Sequence, residues 1–265
     1  MTKFFIGTSG YSYKDWEGEF YPVGINSNQY LQYYNKFFNT VEINSTYYSL
    51  PSPFLFLNMK KKVNSDFLFS VKAYHQITHE RNADDSIYES FLKALDPIIE
   101  SNNLGVILFQ FPYSFNFNKN NFDYLKKIKE KFKDIKITYE FRNINWLNDK
   151  VIKLLTELDI GFCNVDEPKF AKLLPQTNIL TNDIFYLRFH GRNYAKWWSS
   201  DEAFERYDYM YKQEELEEWI PKIKEASLKA KKMLIYFNNH YKAKSVKSAN
   251  LLINLLSLTK EMTVS

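Results

Sequence analysis

Seven short apolar runs in this chain each end on a charged or amide side chain, at Asn44, Lys72, Gln110, Arg142, Asp166, His190 and Asn238. Runs of this length and apolar density suit strands covered on both faces rather than half-exposed ones. Burying a charge costs several kcal/mol unless it is paired, so polar residues recurring at one end of buried strands point to a shared polar site.

Helical patterns separate the runs. Residues 28–38 carry Tyr30, Leu31, Tyr34, Phe37 and Phe38 at helical spacing, and 53–62 begin with Pro53 in a first turn. Ser86 and Glu89 have the spacing of a capping box ahead of Ile87, Phe91, Leu95 and Ile98 on one face. Further helices are expected at 122–132, 146–158, 214–229 and 245–258, with a weak unit at 170–174 between Pro168 and Pro175. Together with a first strand near residues 4–8 and no linker, the alternation predicts a parallel sheet of eight strands. A chain of 265 residues matches the roughly 250 of one barrel. The expected fold is therefore α/β, a single (β/α)8 TIM-type barrel domain over residues 1–265, with long aromatic-rich loops after strands 1 and 7.

Phase along the strands assigns faces. Glu42 with Asn44, Glu140 with Arg142, Asn164 with Asp166, Arg188 with His190, and Tyr236 with Asn238 are expected to point inward at the strand C-termini. That is the face on which such barrels build active sites. Their neighbours, Cys163 and Val165 among them, are expected to face the helices.

A net charge of +4 is too small to demand a nucleic-acid or membrane partner. The single cysteine, Cys163, excludes an internal disulfide and fits a reducing compartment. No stretch approaches the ~18 apolar residues of a membrane span, and the N-terminus lacks a secretory pattern, so a cytoplasmic protein without a membrane partner is expected. Composition leaves the oligomeric state open.

The residues Gly7-Thr-Ser-Gly10, Lys72, His79, Leu108-Phe-Gln-Phe-Pro112, Tyr139-Glu-Phe-Arg142, Tyr186-Leu-Arg-Phe-His-Gly-Arg192 and Tyr236-Phe-Asn-Asn239 closely resemble the YecE-like family, domain of unknown function 72. The match runs in order along nearly the whole chain. It implies a (β/α)8 barrel and supplies no reaction. Residues 167–173, from Glu167 to Leu173, depart from the family pattern.

The inward residues offer acid/base groups, Glu42, Glu140, Asp166 and His190, beside cations at Lys72, Arg142 and Arg188. Gln110, Asn44, Asn238 and Tyr236 add hydrogen-bonding groups. Tyr11, Tyr13 and Trp16 after the first strand, Tyr47 after the second, His79 and Tyr207 suit stacking on a sugar ring or base; the plainer account is aromatics packing on one another. The favoured expectation is an enzyme acting by acid/base chemistry on a small anionic or sugar-like ligand, such as a sugar phosphate or nucleotide fragment.

The alternatives are a nucleic-acid-binding or metal-dependent phosphodiesterase, a non-catalytic ligand-binding barrel, and a self-neutralising ion-pair network. No cofactor is expected, since GxGxxG and GxxxxGK patterns are absent; a divalent metal on Glu42, Glu140, Asp166 and His190 is the competing reading. The glycines Gly7, Gly10, Gly18, Gly24 and Gly191 mark loops of unusual backbone. Gly7–Gly10 either turns the chain or presents N–H groups to an anion.

Overall fold

The structure is a computed structural model that describes residues 2–199 and 205–258. Eight parallel strands, β1 (Lys3–Thr8), β2 (Thr40–Ile43), β3 (Leu68–Lys72), β4 (Leu104–Gln110), β5 (Ile137–Glu140), β6 (Gly161–Asp166), β7 (Ile184–Phe189) and β8 (Lys232–Phe237), lie in the order β1-β8-β7-β6-β5-β4-β3-β2. The fold is a nearly closed (β/α)8 TIM-type barrel. Around it run α1 (Tyr30–Tyr34), α2 (Ser45–Tyr48), α3 (Pro53–Lys60), α4 (Asp85–Ile99), α5 (Lys119–Lys131), α6 (Asp149–Glu157), α7 (Gln213–Glu217), α8 (Ile220–Ser227) and α9 (Lys244–Leu255).

Closure depends on one side chain. β1 and β2 share a single bridge, Ser9 to Glu42, with the Gly10 amide donating to the Glu42 carbonyl at 2.7 Å. Below it the Tyr34 hydroxyl stands in for the missing rung, accepting from the Thr8 amide at 2.9 Å and donating to the Thr40 carbonyl at 3.1 Å. Gly7 is required beside this seam, because a Cβ there would sit 2.3 Å from the Thr40 carbonyl oxygen. The seam also answers the anion question for this turn: the amides of Thr8, Ser9 and Gly10 are spent on Tyr34, Phe237 and Glu42.

Sequence patterns misplace several helices. The helix expected over 28–38 is only α1, preceded by a 3-10 turn whose cap, Asn26, accepts from the Asn28 amide. α4 is capped by Asp84, which accepts from the Ile87 amide and the Ser86 hydroxyl, instead of by a Ser86/Glu89 box. An aspartate with free lone pairs outcompetes a hydroxyl that is itself a donor. Residues 170–174 form turns between the prolines and no helix. His75 lies against a π-helical turn, Gln76–Glu80, and pairs with Glu80 at 2.7 Å.

No helix among the described residues is long and apolar enough to cross a membrane. Residues 200–204 of the expected long loop after strand 7, and residues 1 and 259–265 of the expected domain, lie outside the described residues.

Candidate functional site

The barrel interior is polar in layers. Deepest, the Tyr236 hydroxyl bonds Thr40 at 2.6 Å and Ser70 at 2.9 Å, which makes it a spacer beneath the mouth and places it away from the cavity where a ligand contact is expected. Above it Arg188, at the end of β7, donates Nη2 to Glu42 at 2.7 Å and Nη1 to Glu140 at 2.6 Å. Glu42 also accepts from Ser9 and Tyr186, both at 2.7 Å. Arg142 then bridges Glu140 at 2.8 Å and Glu167 at 2.6 Å. These carboxylates are wholly buried, so each arginine offsets a desolvation cost that is otherwise several kcal/mol.

Burial opposes ionisation of Glu140, but Arg142 and Arg188 overcome it and hold its carboxyl well below the usual range. Glu167 fares differently. Burial, only partly countered by Arg142, pushes its carboxyl up to about 7. His190 is pushed down to about 3 by burial and then Arg142, so it is neutral at neutral pH. Its tautomer follows from its neighbours: Nε2 donates to Glu140 at 3.2 Å and Nδ1 accepts from the Asn238 amide at 3.2 Å.

Lys72 differs from Arg142 and Arg188. It ends β3, whose last carbonyl accepts from the Thr46 hydroxyl of α2 at 2.6 Å. α2 carries Tyr47 over the ammonium, with Nζ 4.2 Å from the ring centre. Among the described residues no carboxylate pairs with it, because the arginines already occupy Glu42 and Glu140. Burial, with Arg188 adding to it, lowers its pKa to about 7.

These groups line a cavity of about 590 Å³ at the strand C-termini, whose walls include Tyr11, Tyr13, Asn44, Lys72, Gln110, Arg142, Arg188, Tyr207, Asn238 and His240. Among the described residues the buried Asn44 Oδ1 has no hydrogen-bond partner. A second lobe of about 330 Å³ shares Tyr48, Lys72, Gln110, Arg142 and Tyr207, and adds Tyr47, His79, Tyr113, Trp197, Trp198 and Arg206. His79 bonds Thr78 at 2.9 Å and is lowered to about 4 by burial and by Lys72.

The structure therefore gathers Lys72, Gln110, Arg142, Arg188, Asn44, Asn238, Tyr11, Tyr13, Tyr47, His79 and Tyr207 on one connected space. Glu42, Glu140 and His190 lie just behind its wall, ion-paired or hydrogen-bonded to residues that line it.

Besides Tyr236, two expected residues are elsewhere. Trp16 is fully buried in an aromatic stack with Tyr13 and Tyr21, donating Nε1 to the His240 carbonyl at 2.7 Å. Asp166 points away from the interior, where Arg192, Tyr211 and Trp219 all bond its carboxylate at 2.7–2.9 Å. The phase expected of β6 is thus inverted: Asn164 holds the following loop through Thr177 and Ile179, while Cys163 faces inward, its Sγ 3.7 Å from Glu140. Strands covered on both faces carry no amphipathic signal to choose between the two phases. With Asp166 outside, the four groups of the metal reading do not converge, and among the described residues no cluster of three His, Cys, Asp or Glu side chains is arranged to hold an ion.

Sequence reasoning missed Glu167, His240 and Arg192. Glu167 sits in the segment that departs from the family pattern. His240 follows the polar end of β8, a signal available at the outset; it stacks on Tyr13 with ring centres 4.5 Å apart.

Comparison with known proteins places this arrangement. The family described as "Protein of unknown function DUF72" matches residues 5–265. The chain belongs to the DUF72 family. A relative named UPF0759 protein YunF, from Bacillus subtilis (strain 168), is 28% identical over 96% of this chain and 95% of its own length. UPF0759 protein YecE of Escherichia coli (strain K12) is 32% identical over 42% of this chain and 38% of its own. Among solved structures, a DUF72 family protein from Thermotoga maritima MSB8 superposes with a TM-score of 0.89 at 37% identity, covering 97% of this chain and 100% of that one. A second DUF72 family protein, from Enterococcus faecalis V583, gives 0.86 at 27% identity over 98% and 96%.

Proposed function

We propose that this DUF72 barrel binds a small anionic or polyhydroxylated molecule, of the sugar-phosphate or nucleotide-fragment class, at its C-terminal mouth and acts on it by acid/base chemistry. One observation carries the reading: Lys72 presents an amine with no carboxylate partner among the described residues to a 590 Å³ cavity also lined by Arg142 and Arg188. An anion entering there meets three cationic side chains, of which two are already held in place by buried carboxylates. Preorganised charge of this kind binds anions without reorganising at the moment of reaction.

The acid/base role moves accordingly. Glu140 and Glu42 orient the arginines, whereas Lys72, with a pKa of about 7, is the group suited to exchange a proton at neutral pH. Gln110, Asn44 and Asn238 supply neutral contacts for hydroxyls, and the aromatic second lobe suits a ring. A free, buried Cys163 agrees with work in a reducing, cytoplasmic compartment.

A thermal-shift screen of phosphorylated metabolites tests the reading. Stabilisation by a sugar phosphate or mononucleotide is expected, together with a loss of about tenfold or more in affinity for Lys72→Ala, the scale of one charge-assisted contact. Hits that survive Lys72→Ala and Gln110→Ala unchanged overturn it. Binding that instead requires polynucleotide and collapses between roughly 50 and 200 mM salt assigns the mouth to backbone recognition.

A further inference from the structure

We infer that Lys72 is a nucleophilic amine that forms an imine with an aldehyde or α-oxo acid bearing an anionic group. The inference rests on the anion-binding reading of the same mouth and narrows its substrate class. Here Glu42 and Glu140 are bonded at 2.6–2.8 Å to Arg188 and Arg142, and among the described residues no carboxylate pairs with the Lys72 amine. Its chain is pinned at the end of β3, with Nζ 4.2 Å from the Tyr47 ring centre, so the amine is held at the meeting point of the two lobes. Desolvation beside other cations is how an amine is kept unprotonated and reactive. Burial and Arg188 bring this one to about 7, against an ordinary value of 10.5.

The chemistry balances without a further co-reactant. The amine lone pair attacks the carbonyl carbon, a C–N bond forms, and the oxygen takes up a proton to give a carbinolamine. The C–O bond then breaks, and oxygen leaves as water with both protons that nitrogen has lost. Arg142 and Arg188 are placed to hold the anionic group of the same molecule.

Glyoxylate with cyanoborohydride tests this in the intact protein at pH 7.5, where hydride from the reagent fixes any imine as a secondary amine that peptide mass spectrometry locates. Labelling of Lys72 about 20-fold faster than the mean of the other lysines is expected from the larger fraction of free amine, offset in part by weaker nucleophilicity. Inorganic phosphate should slow it, and Lys72→Arg and Lys72→Met, each checked for a native melting transition, should remove the label. Label spread over surface lysines, with Lys72 no faster than the rest, overturns the imine. If phosphate still raises the melting temperature in that case, the anion reading stands alone; if Lys72 is labelled but phosphate neither protects nor stabilises, the imine stands and the anion reading falls.

Discussion

Two clusters of charge sit at strand C-termini in this barrel, and they look alike in sequence. The inner one joins Glu42, Arg188, Glu140 and Arg142 inside the barrel; the outer one joins Asp166, Arg192 and Glu218 between β6, the loop after β7 and the α7–α8 corner. The inner pairs form the wall of a cavity and leave Lys72 beside them with no carboxylate partner among the described residues. In the outer cluster the Asp166 carboxylate accepts from Arg192, Tyr211, Trp219 and Gln176 and fastens the connection that follows β7. Gly191 begins that connection with φ near +87°, and a Cβ there would meet Tyr209 at 2.7 Å. A polar residue at a strand end marks a site only when its phase and its partners leave something for a ligand.

Substitutions separate the two clusters. The largest effect is expected for Arg188→Ala, which leaves Glu42 and Glu140 buried and unpaired on that side. A loss of about 3–5 kcal/mol in urea unfolding is the normal scale for such a break, with ligand stabilisation lost as well. Asp166→Ala should cost less, about 2 kcal/mol, because Arg192 keeps Glu218 while the Tyr211 and Trp219 donors lose their acceptor. Ligand affinity should be unchanged in that variant. An Asp166→Ala protein that folds normally and fails to bind would erase the distinction between clamp and site.

Lys72→Met should instead stabilise, by about 1 kcal/mol near pH 7, since it removes a desolvated ammonium with no carboxylate partner. The sign follows from proton binding. Between about 7 and 10.5 the unfolded chain protonates Lys72 and the folded one does not, so wild-type stability rises with pH across that window. The advantage of Lys72→Met is therefore greatest at or below pH 7 and fades towards pH 10. Melting curves of both proteins from pH 6 to 10 that run parallel would show that Lys72 is not desolvated. The smallest effect, under about 1 kcal/mol at pH 7, is expected for Glu167→Gln, whose carboxyl is already half protonated there.

The barrel is legible from the alternation of apolar runs and helical patterns, and the capping chemistry is partly so. Most of the mouth is legible too, because Lys72, Gln110, Arg142 and Asn238 stand where apolar runs end, and Arg188 shares the inward phase of His190. What escapes is set by contacts between distant segments. Tyr34 reads as an apolar helix residue, yet its hydroxyl bridges the seam between β1 and β2. Trp16 reads as a stacking platform, yet it packs under the loop and holds His240.

By itself the sequence determined which segments are strands, that they are buried on both faces, and that polar groups collect at one end, since these depend on local spacing and on the cost of burying charge. Only the tertiary structure decided which polar groups face inward and which are already neutralised. Inversion of β6 sends Asp166 out and Cys163 in, and pairing among residues up to 146 positions apart consumes Glu42 and Glu140, so that among the described residues no carboxylate pairs with Lys72. Ion pairing is short-ranged and exclusive, so which cations it consumes depends on three-dimensional proximity and cannot be read from spacing along the chain.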